Sequence, residues 1–233
     1  MATGLKVYTN GGSVLTIDSS YENLSLYSSG SAQTSAGDPA TSYGLYTLTL
    51  TLPSAAIPQL ALRTHDPSKY IGMVGCAING NSYTFLLRTQ GGPVAFDWYV
   101  FSIPQFVAQS TVGLKVWRPS DNRLVFDSGM KWMRVAGQVI GNPASAQVDP
   151  SRTYAIALAA PAMNQSRSWQ NQPELPAQVD QVTNIVGARI LNGVFSTTDM
   201  RVEVSQSTPG TPVDIGYISN GVAAYLALDI TGF

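Results

Sequence analysis

The residue types that most often carry catalysis are scarce in this chain. His65 is the only histidine, and it lies beside Asp66 in the segment RTHDPSKY, which has the composition of a loop between strands. A Ser-His-Asp triad would need a nucleophile motif such as GxSxG, and the sequence contains none. The glycine-rich phosphate-binding patterns are also missing. We therefore expect no catalytic residue and no enzymatic activity, although sequence alone leaves open a pair of carboxylates of the glycosidase kind.

Metal and redox chemistry have equally few candidate ligands. Cys76 is the only cysteine, which excludes an intramolecular disulfide, and in the segment GMVGCAI we expect it to be a small buried residue. One cysteine, one histidine and no acidic calcium-loop motif predict no metal site. No cofactor is expected.

Charge and hydropathy narrow the range of partners. Charged residues make up 12% of the 233 residues, the net charge is −1, and no run of lysine or arginine occurs. Nucleic-acid binding needs a concentrated basic surface, so we expect no nucleic-acid partner. No apolar stretch approaches the length of a membrane span, and the first twenty residues do not resemble a signal peptide. We therefore expect that the chain does not insert into a membrane. We also expect it to fold in a reducing cytoplasm.

One sixteen-residue motif occurs twice. GLKVYTNGGSVLTIDS (Gly4–Ser19) and GLKVWRPSDNRLVFDS (Gly113–Ser128) are identical at seven of sixteen positions without a gap. Apolar residues alternate on both sides of a turn sequence, which predicts a β-hairpin. We expect Leu114, Val116, Leu124 and Phe126 to form the core face of the second copy.

The motif predicts structure rather than chemistry. The aspartate that closes each copy precedes a serine, where a carboxylate can accept backbone N–H bonds of a turn. The residues expected to define the two hairpins are Gly4, Leu5, Val7, Leu15, Asp18, Gly113, Leu114, Val116, Leu124 and Asp127.

Further matches predict that the whole chain is a duplication. YTLTLTLP (Tyr46–Pro53) resembles YAIALAAP (Tyr154–Pro161), and FDWYVFS (Phe96–Ser102) weakly resembles a segment within residues 198–205. Strand patterns dominate, and no segment has helical periodicity over three turns. We predict an all-β fold of two tandem β-sandwich-like domains, residues 1–106 and 107–207. Residues 208–233 are expected to form a C-terminal hairpin, turning at Ser219-Asn220-Gly221, that packs on a sandwich or on a partner.

Two stretches lack a strand pattern. Residues Ser28–Ser42 are expected to form a mobile polar loop, and Pro161–Thr183 a long functional or disordered loop. Trp169, in the second stretch, is a candidate contact for a partner subunit or a sugar ring; the alternative is an indole buried by its own loop. Tyr21 and Tyr27 are further candidates for contact with a partner or a glycan.

The doubled hairpin motif, followed by the strand MRVAG after the second copy, resembles the opening of small β-rich tail proteins of long-tailed bacteriophages. The closing segment GYISNGVAAYLALDITGF is similar to the final strands of such proteins. The resemblance covers about a third of the chain, and it implies a non-enzymatic virion component of the tail tip, baseplate or central fibre. In that family the motif occurs once, whereas here it is doubled.

The resemblance implies other tail proteins as partners, location in the virion tail, and synthesis and folding in the bacterial host cytoplasm. Contact with a host surface glycan or protein is a further role that it leaves open. Two similar units in one chain would let a trimer present six similar surfaces, so we expect a homo-oligomer, with the trimer favoured. The rival hypothesis is a lectin-like carbohydrate-binding module that recognises host surface glycan.

Overall fold

The structure is a computed structural model that describes residues 6–9, 14–18, 23–36, 43–53, 58–170, 178–207 and 217–233. Within these residues the chain forms β-strands and one short 3-10 helix, Pro104–Phe106. The predicted all-β class is confirmed.

The first half of the chain, residues 1–106, contributes eight strands among its described residues. They are β1 (Lys6–Thr9), β2 (Val14–Asp18), β3 (Ser25–Gln33), β4 (Tyr43–Thr51), β5 (Gln59–Thr64), β6 (Ile71–Asn79), β7 (Ser82–Gln90) and β8 (Ala95–Ser102).

The second half, residues 107–233, contributes ten more within its described part. They are β9 (Lys115–Trp117), β10 (Leu124–Asp127), β11 (Val135–Ile140), β12 (Ser145–Gln147), β13 (Tyr154–Ala160), β14 (Met163–Gln170), β15 (Gln178–Leu191), β16 (Val194–Ser207), β17 (Tyr217–Asn220) and β18 (Ala224–Asp229).

Two large antiparallel sheets form the body of the molecule. Sheet I has the strand order β11-β18-β13-β5-β8-β3. Sheet II has the order β12-β16-β15-β6-β7-β4, and β14 and β17 extend it beside the far half of β15. The hairpins β1–β2 and β9–β10 each form a separate two-stranded sheet.

The strand order of both sheets is symmetric about a central pair. Sheet I contains β3-β8-β5 from the first half and β11-β18-β13 from the second, and these two sets meet where β5 pairs with β13. Sheet II contains β4-β7-β6 and β12-β16-β15, which meet where β6 pairs with β15. Each half therefore builds the same six-stranded unit, and β14 and β17 are additions to the second unit.

Matching registers show that the repetition extends to single residues. Leu26 and Ser28 of β3 pair with Phe101 and Val100, with an irregularity between them, and Val135 and Gly137 of β11 pair with Leu228 and Ala227 in the same way. Residues of β3 and β11 correspond at an offset of 109, the spacing of the two hairpin motifs. The two halves thus repeat the same strand arrangement, and the duplication of the chain stays a prediction.

The domain boundaries require correction. Both sheets combine strands from residues 1–106 with strands from later in the chain, so the halves share their sheets and do not form two sandwiches side by side. The C-terminal strand β18 lies inside sheet I, where it occupies the place that β8 has in the first half. Residues 208–233 are thus no separate unit, because the second repeat needs β18 to complete its half of sheet I.

The core lies between the sheets and includes residues from both halves. Leu62, Phe96 and Tyr225 of sheet I pack with Phe85 and Phe195 of sheet II. The other face of sheet I is also covered, since a second cluster there contains Phe101, Ala155 and Leu228. Above that cluster, the N–H of Leu26 donates to the carbonyl of Lys131 (2.7 Å) and that of Met133 to Leu24 (2.8 Å), which connects the two edges of sheet I.

The C-terminal hairpin prediction is wrong. The chain does not fold back at Ser219-Asn220-Gly221, because β17 pairs with β14 whereas β18 pairs with β11 and β13. Gly221, with φ of +78°, lies where the chain passes between the two sheets.

The two loop predictions are wrong over much of their length. Met163–Gln170 and Gln178–Leu191 pair as the antiparallel strands β14 and β15 inside the predicted loop, and residues 171–177 lie outside the described residues. In the polar stretch, Ser28–Gln33 belongs to β3, and residues 37–42 lie outside the described residues.

The other repeat pairings were misaligned. Tyr46–Pro53 includes most of β4 in sheet II, whereas Tyr154–Pro161 includes β13 of sheet I, so these segments are not equivalent. The counterpart of β13 is β5, with Ala61-Leu62 corresponding to Ala157-Leu158. Likewise β8 corresponds to β18 and not to β16.

Candidate functional site

The second hairpin is held by its terminal aspartate. Asp127 is fully buried, and its carboxylate accepts bonds from the backbone N–H groups of Ser110 and Gly129, both 2.9 Å, and from the Ser110 hydroxyl. Burial raises the pKa of the carboxyl, but these hydrogen bonds and the nearby Lys115 outweigh it and leave the pKa below its ordinary value. The predicted role of Asp127 as an acceptor of backbone N–H bonds is confirmed.

The faces of this hairpin differ in part from the prediction. Val116 and Leu124 are buried as expected, and Phe126 stacks on Trp132 with 5.0 Å between ring centroids. Leu114, however, is 51% exposed, so its assignment to the core face is wrong. Its N–H bonds the Ser128 hydroxyl at 2.9 Å instead, which places the residue at the hairpin's open end.

Gly113 has a backbone reason for its place in the motif. Its φ of +120° is a conformation that side chains rarely adopt, and a Cβ there would overlap the Ser128 hydroxyl. Beside it, Val112, Leu114 and Trp117 are exposed large apolar residues on one short segment. We call these three residues the apolar rim of the second hairpin.

The first hairpin forms with the same pairing. Lys6 pairs with Asp18, Val7 with Ile17 and Tyr8 with Leu15, and an offset of 109 converts these pairs into those of β9 with β10. Both ladders have their irregularity at the equivalent position. Gly4 and Leu5 lie outside the described residues, and for Val7, Leu15 and Asp18 only the strand pairing is described.

Of the three aromatic contact candidates, only Tyr27 has a side chain that the structure describes. Tyr27 is partly buried and packs against the main core, so its ring is not a free binding platform. Trp169 lies in β14 opposite Val179, and the placement of its indole lies outside what is described. Tyr21 lies outside the described residues.

A cleft between the two halves was not predicted. It has a volume of about 490 Å³ and lies where the end of β5, the start of β13 and the β15–β16 turn meet. Its lining residues are Leu62, Arg63, Thr64, His65, Pro67, Pro150, Arg152, Thr153, Tyr154, Ile156, Ile190, Asn192 and Gly193.

One wall of the cleft carries a hydrogen-bonded charge cluster around Asp97. The Asp97 carboxylate lies 2.9 Å from His65 Nε2 and 3.5 Å from Arg63 Nη1, and accepts a 2.7 Å bond from the Ser31 hydroxyl. Burial raises the pKa of this carboxyl, but the bonds from Ser31 and His65 leave it below its ordinary value. Because Ser31 donates to the aspartate and not to the imidazole, the geometry differs from a catalytic triad, in which histidine lies between serine and aspartate.

The opposite wall is formed by Arg152. Its guanidinium lies 2.5 Å from the buried carboxylate of Asp229 and 3.5 Å from Asp149, and Arg134 approaches Asp229 at 3.6 Å. Burial raises the pKa of Asp229, whereas hydrogen bonds from Thr231 and Arg152 lower it, with the net shift downward.

Two similar turns border the cleft, and they are the sequence signal that could have located it. In Asp66-Pro67-Ser68 and Asp149-Pro150-Ser151 the aspartate accepts bonds from the N–H and hydroxyl of the serine two residues later. The shared turn chemistry explains why the sequence Asp-Pro-Ser occurs at both places, but only the pairing of β5 with β13 brings the two turns together.

The remaining chemistry-bearing groups give no further site among the described residues. No cluster of three or more His, Cys, Asp or Glu there could hold a metal ion. Cys76 is exposed, so the expectation of a buried cysteine is wrong. No helix in the described part of the chain has the length and apolar character needed to cross a membrane.

Comparison with protein-family models, with curated proteins and with solved structures finds no match for this chain.

Proposed function

We propose that this chain is a non-enzymatic structural component of a bacteriophage tail, built into the tail tip, baseplate or fibre by contacts with other tail proteins. The observation that carries the proposal is the hairpin motif through which the sequence resembles small tail proteins. It occurs twice with the same register, each time outside the two main sheets.

The second hairpin has the features of a docking element. Its two strands pair only with each other among the described residues, so each has an outer edge to which a partner strand could add. Trp117, 44% exposed, follows the exposed Leu114 by three residues and Val112 by five in the chain. Exposed tryptophan with neighbouring apolar residues is typical of interfaces.

The test is the composition of purified particles. Virions from the phage that encodes the chain are purified by gradient centrifugation, the tails are separated, and peptides are quantified by mass spectrometry. The proposal expects the chain at a fixed stoichiometry in the tail fraction and, for the free chain, a trimer by light scattering. Absence from washed tails would overturn it; a monomer in solution would overturn only the trimer.

A second candidate function is glycan binding, which one observation favours. The cleft has the size of a small-ligand site and combines apolar and polar lining residues. The cleft gives the glycan hypothesis a second location, besides the aromatic candidates Trp169, Tyr21 and Tyr27.

A further inference from the structure

We propose that the cleft between the two halves binds a sugar that carries a carboxylate, such as a uronic acid unit of a surface polysaccharide. The proposal rests on the second candidate function and specifies its ligand class. It is independent of the assembly role.

The positive charges that line the cleft favour binding of an anionic ligand. Its charged lining residues are Arg63 and Arg152, its titratable ones also include His65, and none is acidic. The carboxylates that pair with the arginines lie behind them: the Asp97 and Asp229 side chains are 19% and 7% exposed, against 44% and 52% for Arg63 and Arg152. Arg152 has a second carboxylate partner, Asp149, which is 52% exposed and lies 3.5 Å from it. A guanidinium has five N–H donors, and one or two carboxylate partners do not use them all.

The internal repeat shows that the fold does not need this chemistry. In the first repeat Arg63 of β5 pairs with Asp97 of β8, and in the second repeat the equivalent pair is Ala160 of β13 with Ala224 of β18, after an irregularity at Ala159. Asp97 corresponds to Ala224 and Ser31 to Ile140 by the registers of β8 with β18 and β3 with β11. The same scaffold is thus built without the polar cluster, so the cluster is a local specialisation present in one of the two repeats.

The floor of the cleft favours a sugar over an acidic peptide. Leu62, Ile156 and Ile190 offer apolar surface to the C–H face of a pyranose, while Thr64, Thr153 and Asn192 carry hydroxyl and amide groups suited to sugar hydroxyls. Peptides commonly bind sheets by adding a strand at an edge. That mode is blocked here, because β5 and β13 are each paired on both sides.

The experiment titrates the full chain with trigalacturonate, with its methyl ester and with neutral trigalactose, using calorimetry and amide NMR. We expect trigalacturonate to shift signals of residues 62–65 and 152–154, and the ester and the neutral sugar to bind at least tenfold more weakly. Arg63→Gln is expected to weaken trigalacturonate binding about tenfold, since a charge-assisted bond is lost. His65→Gln serves as the second variant if Arg63→Gln unfolds.

The matched control is Arg123→Gln. Arg123 is 49% exposed and pairs with Asp121 at 3.3 Å, so it resembles Arg63 but lies on the second hairpin, outside the cleft lining. Equal losses in the two variants would overturn the assignment to the cleft.

The outcomes separate the claims. Equal binding of trigalactose and trigalacturonate would overturn the acidic class and keep the glycan function. Failure of all the sugars would overturn both, while leaving the assembly role to its own test. Tighter binding of a hexaglutamate peptide would assign the cleft to a protein partner and overturn the sugar.

Discussion

At the scale of residues, Asp127 is the member of the repeated motif with the most defined role. Three donors from Ser110 and Gly129 converge on its two oxygens in a fully buried position. In Asp127→Asn an NH2 group would face one of these donors, and a buried donor would lose its partner. We expect the free energy of unfolding to fall by about 1–3 kcal/mol, measured by urea denaturation.

Asp121→Asn is the control for that substitution. Asp121 lies on the turn of the same hairpin, where its carboxylate pairs with Arg118 and Arg123 at the surface. Exposed ion pairs contribute little to stability, and an asparagine there can still accept the bond from the Arg123 N–H. A loss as large as that of Asp127→Asn would show that hairpin charge, and not the buried acceptor, is what stabilises the motif.

The same carboxylates predict how stability depends on pH. The pKa values of Asp127 and Asp229 are lowered in the folded protein, so the unfolded chain binds protons first as the pH falls. Their contribution is complete above the unfolded pKa of about 4 and is lost as the pH falls through the lower folded values. We expect the stability difference between the native chain and Asp127→Asn to be constant from pH 8 to 5 and to shrink below pH 4. A difference that grows on acidification would contradict the pKa direction.

At the scale of elements, the local pattern of apolar residues was sufficient to predict some strands and not others. The hairpin motifs were predicted because alternating apolar residues surround a recognisable turn, and both hairpins form. Strands β14 and β15 were missed because residues 161–183 are rich in Gln, Asn and Ser with interspersed prolines, and strands without one apolar face have no period of two. These strands are held by their backbone pairing with each other, which leaves no pattern of apolar residues in the sequence.

The partners of strands were harder to predict than the strands. Trp98 and Tyr99 are adjacent in β8 and face opposite sides of sheet I, since Trp98 packs on the main core and Tyr99 on the second cluster. Nothing in either sequence segment indicates that β5 pairs with β13, because that contact joins residues about a hundred positions apart. The cleft and the shared sheets both depend on this pairing, so neither could be predicted from local pattern.

Gly44 of β4 provides a test of packing between elements. The hydroxyls of Thr34 and Thr89 bond each other at 2.9 Å in the interior, and a Cβ on Gly44 would overlap both oxygens. Gly44→Ala is therefore expected to lower the free energy of unfolding by about 1–3 kcal/mol in chemical denaturation. Gly75→Ala is the control, since Gly75 lies in β6 of the same sheet and a Cβ there meets nothing within 4 Å. Comparable losses in the two variants would rule out the overlap as the cause.

At the scale of the whole molecule, the repeat makes the sheets symmetric, but it does not extend to the charged residues of the cleft. Two equivalent units share both sheets, so the chain resembles a dimer whose subunits have been joined. The hairpins keep the repeat, while the charged cluster around Asp97 is not repeated, since Ala224 and Ile140 lie at the positions equivalent to Asp97 and Ser31. Under the two proposals made above, the hairpins are two similar docking elements and the cleft is one distinct binding site.

The shared sheets predict how the two halves behave when separated. A fragment of residues 1–106 exposes the edges of β5 and β6, and residues 107–233 expose those of β13 and β15, together with each half's share of the common core. We expect neither fragment to be a folded monomer, because each loses its central strand partners and half of its core. Mixed in equal amounts, they should form a 1:1 complex. Its mass by light scattering should be 24.8 kDa, and its near-ultraviolet circular dichroism should be that of the intact chain.

A second pair of fragments, residues 1–120 and 121–233, is cut inside the turn of the second hairpin. These fragments divide the two sheets in the same way and should reassociate with a weaker hairpin. Two folded monomers that do not associate would contradict the shared sheets and favour the independent tandem domains that the sequence had predicted.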